Sequence, residues 1–228
     1  MRIEEARWIE QALHGHVLGA PPSGTAAVAI NLGSGPRRMR EVNKPHVHRQ
    51  TILPLQQAGW QVVHSDLEAA DGVDIAGDLF DPGLQARLRA MSPGLVMFCN
   101  VIEHLPPRLL PGLPAALDAL VPPGGLLLVA APHSYPYHAD PIDNLHRPSP
   151  AQIAALFPDY QPVAQAIVDS ESYGAEFRRG GLSRQVRRLL RLLVPFVRPR
   201  RWLSHAHRMF WLARPYRHSL VLLRKPSA

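Results

Sequence analysis

The segment from Ala26 to Pro36 constrains the fold more than any other part of the chain. It is a short apolar run that ends in Gly33-Ser34-Gly35. The run predicts a buried strand, and the glycines predict a tight turn, because glycine adopts positive φ and lets a ligand approach the backbone closely. After the first strand of an alternating α/β chain, such a turn is typical of a site for a nucleotide-like cofactor. Many strands also end in Gly-x-Gly for steric reasons alone.

Length and composition limit the class of protein. A chain of 228 residues, 46% of them hydrophobic, is long enough for one substantial α/β domain. The single cysteine, Cys99, excludes a disulfide framework and a cysteine-based structural zinc site. The first ten residues include acidic side chains and no apolar core of the signal-peptide type. Because no run of about 18 apolar residues occurs, we predict a cytoplasmic protein without a membrane span.

Strand-like and helix-like segments alternate along the chain. The predicted helices cover 3–17, 82–91, 109–120 and 150–157. The predicted strands cover 26–32, 61–66, 73–78, 95–100, 126–131, 162–169 and 219–223. This alternation predicts an α/β fold with a doubly wound, mostly parallel sheet that is covered on both faces.

Polar residues follow several of these strands, at the edge where open α/β sheets bind their ligands. Asp66 ends the second strand, where a carboxylate can accept both hydroxyls of a ribose. Asp78 ends the third, where it can accept a hydrogen bond from an adenine amino group. Each acid alone is equally typical of a helix cap or a solvated loop. Their common position at one edge favours a cofactor site.

Five segments in this order resemble the class I S-adenosylmethionine-dependent methyltransferases. They are Leu-Gly-Ser-Gly-Pro, Ser-Asp-Leu, Ala-Gly-Asp-Leu, Asn-Val-Ile-Glu-His-Leu and Pro-Pro-Gly-Gly-Leu-Leu-Leu-Val. The chain is most similar to the small bacterial members of that family over residues 26–157. The resemblance implies a Rossmann-like sheet of seven strands with the last one antiparallel.

The resemblance also implies a set of cofactor-binding residues. By position these are Asn31, Gly33, Ser34, Gly35, Asp66, Asp78, Leu79, Asn100 and Val101. The glycines would contact the methionine part of S-adenosylmethionine, the two aspartates its ribose and adenine, and Asn100 with Val101 its sulfonium. The sequence departs from the family at Asn31, where an acid is common, and at Arg37, where a third glycine is common. The interval from Gly35 to Asp66 is also longer than usual.

The loop at 132–148 contains the candidate catalytic and acceptor-binding groups. His138, paired with Asp140 or Asp143, is suited to act as a general base near neutral pH, and His104 is an alternative base. The candidate acceptor-binding residues are His133, Tyr135, Asp143 and Arg147. An alternative interpretation of this loop is a metal site formed by His138, Asp140, Asp143 and His146. Because their spacing matches no recognised zinc pattern, we predict no metal site. A third interpretation is a rigid proline-rich loop that only supports a pocket.

The arginines are concentrated near the end of the chain. The net charge of the chain is +7. Residues 177–217 contain twelve arginines and no acidic residue, so the remainder of the chain has a net charge of −5. Arg184, Arg187, Arg188 and Arg191 share one face of a predicted amphipathic helix. A basic helix with nearby tryptophans is typical of an element at a membrane surface. A plain cap over the acceptor site and a nucleic-acid contact are the alternatives.

Together these features predict a single methyltransferase domain over 1–228 with a basic apolar cap inserted at 172–217. We expect methyl transfer from S-adenosylmethionine to an oxygen, rather than a nitrogen or carbon, of a small or lipid-linked acceptor such as a glycan intermediate. The enzyme would then lie at the inner face of the membrane. Two other hypotheses remain: an RNA or protein methyltransferase whose arginines hold a polyanion, and a non-catalytic member that binds only cofactor or membrane.

Overall fold

The computed structural model describes residues 1–19, 21–22, 24–138, 142–179, 181, 186–187, 190, 196, 202 and 206–227. Within them, seven strands form one sheet. The strands are β1 (Ala26–Leu32), β2 (Gln61–Asp66), β3 (Ile75–Ala76), β4 (Pro93–Cys99), β5 (Leu126–Ser134), β6 (Gln161–Ser170) and β7 (Tyr216–Arg224).

The strand order is β3-β2-β1-β4-β5-β7-β6. The neighbours from β3 to β5 pair in parallel, whereas β7 is antiparallel to both β5 and β6. This confirms the predicted doubly wound sheet with an antiparallel last strand. The order reverses between β1 and β4, and open α/β sheets bind ligands at the carboxyl ends of the strands at such a point.

Seven α-helices lie around the sheet in the described part of the chain. They are α1 (Ile3–His16), α2 (Pro45–Val47), α3 (Leu53–Gln57), α4 (Pro82–Arg89), α5 (Leu113–Asp118), α6 (Pro150–Ala155) and α7 (Tyr173–Arg179). Helix α4 begins where the sequence predicts, because Asp81 caps the backbone N–H groups of Gly83 and Leu84. Helix α6 begins with a capping box between Ser149 and Gln152.

The central strands are buried on both faces, which explains their continuous apolar sequences. Alternate residues of β1 and β4 enter two separate cores. Ile30 and Phe98 belong to the core that includes α4 and α5. Ala29 and Met97 belong to the core that contains the apolar face of α1. These cores fix the sheet edge that carries the site.

The sequence predicts a polar helix or loop from the glycine turn to about residue 55, which the structure shows as helical turns, whereas the strand predicted at 73–78 is shorter. Between Gly35 and β2 the chain forms short α-helices and two π-helical turns, Met39–Asn43 and His48–Ile52, which accommodate the long interval before Asp66. Strand β3 has only two residues because it pairs only with the end of β2.

The predicted cap at 172–217 is described only in part. It includes α7, and β7 begins at Tyr216, earlier than predicted. Arg187 is helical, but Arg184, Arg188 and Arg191 lie outside the described residues. The amphipathic helix therefore stays a prediction. No helix in the described ranges is long and apolar enough to cross a bilayer.

Candidate functional site

The glycine turn after β1 has the geometry that only glycine tolerates well. Gly33 and Gly35 both have φ of +63°. A Cβ at Gly33 would overlap the side chain of Val101, and one at Gly35 would overlap that of Met39. The turn therefore packs closely against the segment that follows β4 and leaves its backbone accessible on the other side.

The buried side chain of Arg40 holds this turn in place. Its guanidinium donates to the carbonyl oxygens of Gly35, of Ser34 at 3.3 Å and of Gly72 at 2.8 Å. Three backbone acceptors in two loops are thus satisfied by one side chain. No pattern in the sequence indicates this role, because an arginine within a polar segment is usually solvated.

The two candidate carboxylates of the cofactor site contact backbone N–H groups. Asp66 accepts from Gly35 N at 2.6 Å and from Leu67 N at 2.8 Å, so it joins the glycine turn to the end of β2. Asp78 accepts from Phe80 N at 3.0 Å. Each carboxylate oxygen has a second lone pair, so these bonds orient the carboxylates and leave acceptor capacity for a ligand.

One cavity of about 1520 Å³ lies at the carboxyl ends of the parallel strands. The following predicted cofactor residues all line it: Asn31, Gly33, Ser34, Gly35, Asp66, Asp78, Leu79, Asn100 and Val101. His104, Tyr135 and His138 line the same cavity. Its volume exceeds that of most small-molecule sites, so it has room for a cofactor and an acceptor together. The specific role of each lining residue stays a prediction.

Two side chains that no sequence pattern singles out, Glu5 and His218, meet beside Asn100. The amide of Asn100 donates to Glu5 Oε2 at 2.9 Å, and His218 Nδ1 lies 3.4 Å from Glu5 Oε1. Glu5 and His218 are almost completely buried. Asn100 has φ of +56°, so Glu5 holds a strained residue in the position where the sulfonium is expected.

Arg2 joins the beginning of α1 to three other segments: α7, the loop after β5, and β7. Its guanidinium pairs with Glu176 of α7, donates to the Tyr135 hydroxyl at 3.2 Å and lies 4.5 Å from the Tyr216 ring centroid. Arg2, Tyr135 and Glu176 line the cavity. No local pattern in the sequence links these four positions, since the pairs form only through the tertiary fold.

Glu103, His104 and His138 form a cluster on the cavity wall. His104 Nε2 lies 3.8 Å from Glu103 Oε1, and the two imidazole rings meet edge to face at 5.3 Å between centroids. Burial raises the pKa of Glu103 to about 7. Burial also lowers the pKa of His138, against the opposing effect of Asp143, so the imidazole of His138 is neutral at pH 7. The cluster therefore contains groups that can exchange protons near neutral pH.

Asp143 and Arg147 support His138 from behind. The Asp143 carboxylate is buried and accepts from the backbone N–H groups of His138 at 2.8 Å and Leu145 at 2.9 Å, and from Arg147 Nη2 at 2.7 Å. Burial alone would raise the pKa of Asp143. The hydrogen-bond donors, of which Arg147 has the largest effect, lower it below its usual value. His138 Nδ1 lies 3.4 Å from Asp143 Oδ2, which is ion-pair distance without hydrogen-bond geometry.

The remaining predicted site residues have different positions. His133, Asp143 and Arg147 are not among the described residues that line the cavity. Their contact with an acceptor stays a prediction, and Asp143 with Arg147 supports His138 instead. Asp140 lies outside the described residues.

Replacing His218 with glutamine is expected to change how stability depends on pH. Burial lowers the pKa of His218 from 6.5 to about 4, with Glu5 acting in the opposite direction. Between pH 4 and 6.5 the unfolded chain therefore binds a proton that the folded chain does not. The free energy of unfolding of the wild type should rise over this window, with a contribution from His218 of up to about 3 kcal/mol.

The measurement is denaturant unfolding at pH 4.5 and 6.5. His218→Gln should show a smaller rise than the wild type. His14→Gln, at an exposed position on α1, should show the wild-type rise. Equal pH dependence in all three proteins would contradict the assignment of a neutral buried imidazole.

The fold is that of the class I S-adenosylmethionine-dependent methyltransferases. No family model matches the sequence, and no curated relative was found. Among solved structures, the chain is similar to a putative sarcosine dimethylglycine methyltransferase from Galdieria sulphuraria, with 12% identity, a TM-score of 0.56 and coverage of 98% of this chain and 85% of that one.

Two further structures show the same fold. One is an S-adenosylmethionine-dependent methyltransferase from Archaeoglobus fulgidus, with 12% identity and a TM-score of 0.50. The match covers 96% of this chain and 94% of that one. The other is coclaurine N-methyltransferase bound to N-methylheliamine and S-adenosylhomocysteine, with 12% identity and a TM-score of 0.53. The match covers 96% of this chain and 70% of that one. These similarities confirm the predicted fold class.

Proposed function

We propose that this chain transfers a methyl group from S-adenosylmethionine to an oxygen atom of a small or lipid-linked acceptor. The observation that carries the proposal is the single cavity that joins the glycine turn, the two carboxylates and the Glu103–His104–His138 cluster. A hydroxyl acceptor must lose a proton as it is methylated, and this cluster is the proton-accepting group beside the expected methyl position.

The residues at the glycine turn fit the cofactor. The absence of a Cβ at Gly33 lets the turn pack against Val101 with its backbone open to the cavity, and Asp66 retains lone pairs for ribose hydroxyls. S-adenosylmethionine supplies an already activated methyl group, so the protein mainly aligns the acceptor for in-line displacement. Asn100, held by Glu5, is the residue we expect to fix the sulfonium end.

His138 is our candidate for the group that accepts the acceptor's proton directly. The ionised Asp143 carboxylate at 3.4 Å favours the tautomer with the proton on Nδ1, which leaves a lone pair on Nε2. His104 is the alternative base. The imidazole of His138 must be neutral to accept a proton, and the lowered pKa of His138 meets that condition at pH 7.

The finer choice of acceptor rests on the basic segment. A lipid-linked glycan presents hydroxyls close to an anionic surface, and the arginines at 184, 187, 188 and 191 would hold the enzyme there by about 1 kcal/mol each. Co-sedimentation with anionic liposomes tests this. Substituting all four with glutamine should abolish binding, and unchanged binding would contradict the assignment.

Calorimetry with S-adenosylhomocysteine tests the proposed cofactor. We expect binding in the micromolar range by the folded chain, and absence of binding at high micromolar ligand would overturn the proposal. Methyl-labelled S-adenosylmethionine with glycosides, polyprenyl-linked glycans and RNA then separates the acceptors. Label on RNA alone would favour the polyanion hypothesis instead.

A further inference from the structure

We infer that Glu103, His104 and His138 together bind a divalent cation at the acceptor end of the cavity. Each residue offers one ligand atom, and these atoms all lie within 4.8 Å of one another. Glu103 and His104 belong to the turn after β4, whereas His138 lies in the loop after β5. The set thus forms only in the folded chain, across the 33 residues that separate His104 from His138.

The ligand types define the class of cation. Two imidazoles and one carboxylate suit borderline divalent ions such as Zn²⁺, Fe²⁺, Co²⁺ or Mn²⁺, and three protein ligands leave coordination positions open. Bonds of about 2.0–2.2 Å require the ligand atoms to approach one another further. The half-buried rings of His104 and His138 have room for this movement at the cavity wall.

The surroundings of the imidazoles match those of metal ligands. His104 Nδ1 lies 2.6 Å from the carbonyl oxygen of Ile142, so it carries the proton and leaves Nε2 free toward Glu103. His138 Nδ1 lies at ion-pair distance, 3.4 Å, from the Asp143 carboxylate, without hydrogen-bond geometry. A carbonyl or carboxylate on the far ring nitrogen orients a ligating histidine and fixes its tautomer.

The two loops that supply the ligands are fastened to each other. Asn144 donates through its side chain to the carbonyl oxygens of Ile102 at 2.7 Å and Leu105 at 2.9 Å. Its backbone N–H donates to the Glu103 carbonyl oxygen at 2.9 Å. These three bonds hold the turn after β4 against the histidine loop and preorganise the cluster.

Glu103 provides an independent indication of a missing partner. Its side chain is only 1% exposed, and its Oε2 atom has no hydrogen-bond partner among the described residues. Buried carboxylate oxygens almost always have a partner. A cation between Glu103 and the two imidazoles would satisfy this atom.

This inference rests on the proposed function and refines it. A hydroxyl bound to the cation would ionise more easily, because the cation stabilises the alkoxide. His138 would then act as a metal ligand and not as the base, and the hydroxyl proton would pass to solvent water in the cavity. This group of ligands shares only His138 with the group of His138, Asp140, Asp143 and His146 in the loop after β5. The spacing of that second group, called the loop set, predicts no metal site.

The test is a titration of the full chain with Co²⁺, followed by visible absorption and by competition with Zn²⁺. The wild type should bind one ion and show ligand-field bands. His104→Ala and His138→Ala should each lower the affinity about 100-fold. Glu103→Gln, which has nearly the same shape, provides a third variant if an alanine variant fails to fold. His146→Ala, in the same loop, should bind as the wild type does.

Two results would overturn the inference. One is no Co²⁺ binding at millimolar concentration by folded protein. The other is loss of binding in His146→Ala, which would move the ion to the loop set. Binding of S-adenosylhomocysteine is measured separately without metal, so failure of the cation site and failure of the proposed methyl transfer are distinguishable.

Discussion

Gly33→Ala is expected to weaken S-adenosylhomocysteine binding about 30-fold, because the added Cβ overlaps Val101 and would push the turn toward the cofactor on its other side. Gly33 has φ of +63°, and its Cβ would overlap Cγ2 of Val101. The backbone or Val101 must then move, and overpacking of this kind costs about 2 kcal/mol. If the displacement acts on the bound cofactor, that energy corresponds to about 30-fold in affinity.

A matched control separates this overlap from backbone strain. Gly59 also has positive φ, at +83°, but a Cβ there would meet nothing within 4 Å. Gly59→Ala should therefore lower stability by about 1 kcal/mol, as an alanine at positive φ does, and leave the calorimetric affinity unchanged. The double variant Gly33→Ala/Val101→Ala removes the overlapping methyl groups and should recover part of the affinity. Equal binding by Gly33→Ala and the wild type would show that the turn does not contact the cofactor.

The parts of the fold that the sequence predicted are those determined by local pattern. The continuous apolar runs of β4 and β5 and the glycine turn after β1 need no partner to be recognised. The cap at Asp81 likewise depends on residues within one turn. These signals place the sheet edge, and with it the cavity, because parallel strands present their carboxyl ends on the same side.

The residues that the sequence analysis missed depend on contacts between distant segments. Glu5 appears as an ordinary acid near the start of α1, and His218 as a polar interruption in an apolar strand. Only the fold brings them together beside Asn100. Arg40 is similar, since its burial results from two loops that close over it. Periodicity describes one element at a time and cannot identify such pairs.

Asp143→Ala is expected to lower the free energy of unfolding by about 3 kcal/mol, far more than loss of a surface ion pair. The Asp143 side chain has no exposed area, and its loss removes acceptors from Arg147 and from two backbone N–H groups. Arg147, only 14% exposed, would then be left as a buried charge without its partner. Removing one member of a buried pair costs about 3–5 kcal/mol for this reason.

The exposed pair of Asp169 and Arg217 provides the control. These groups lie 2.9 Å apart on the surface, so Asp169→Ala should cost less than about 1 kcal/mol in the same denaturant titration. The double variant Asp143→Ala/Arg147→Ala should lose less free energy of unfolding than the two single variants lose together. The reason is that it also removes the guanidinium that Asp143→Ala leaves without a partner. A cost for Asp143→Ala no larger than that for Asp169→Ala would contradict the structural role of the pair. It would also mean that the position of His138 does not depend on this buried carboxylate.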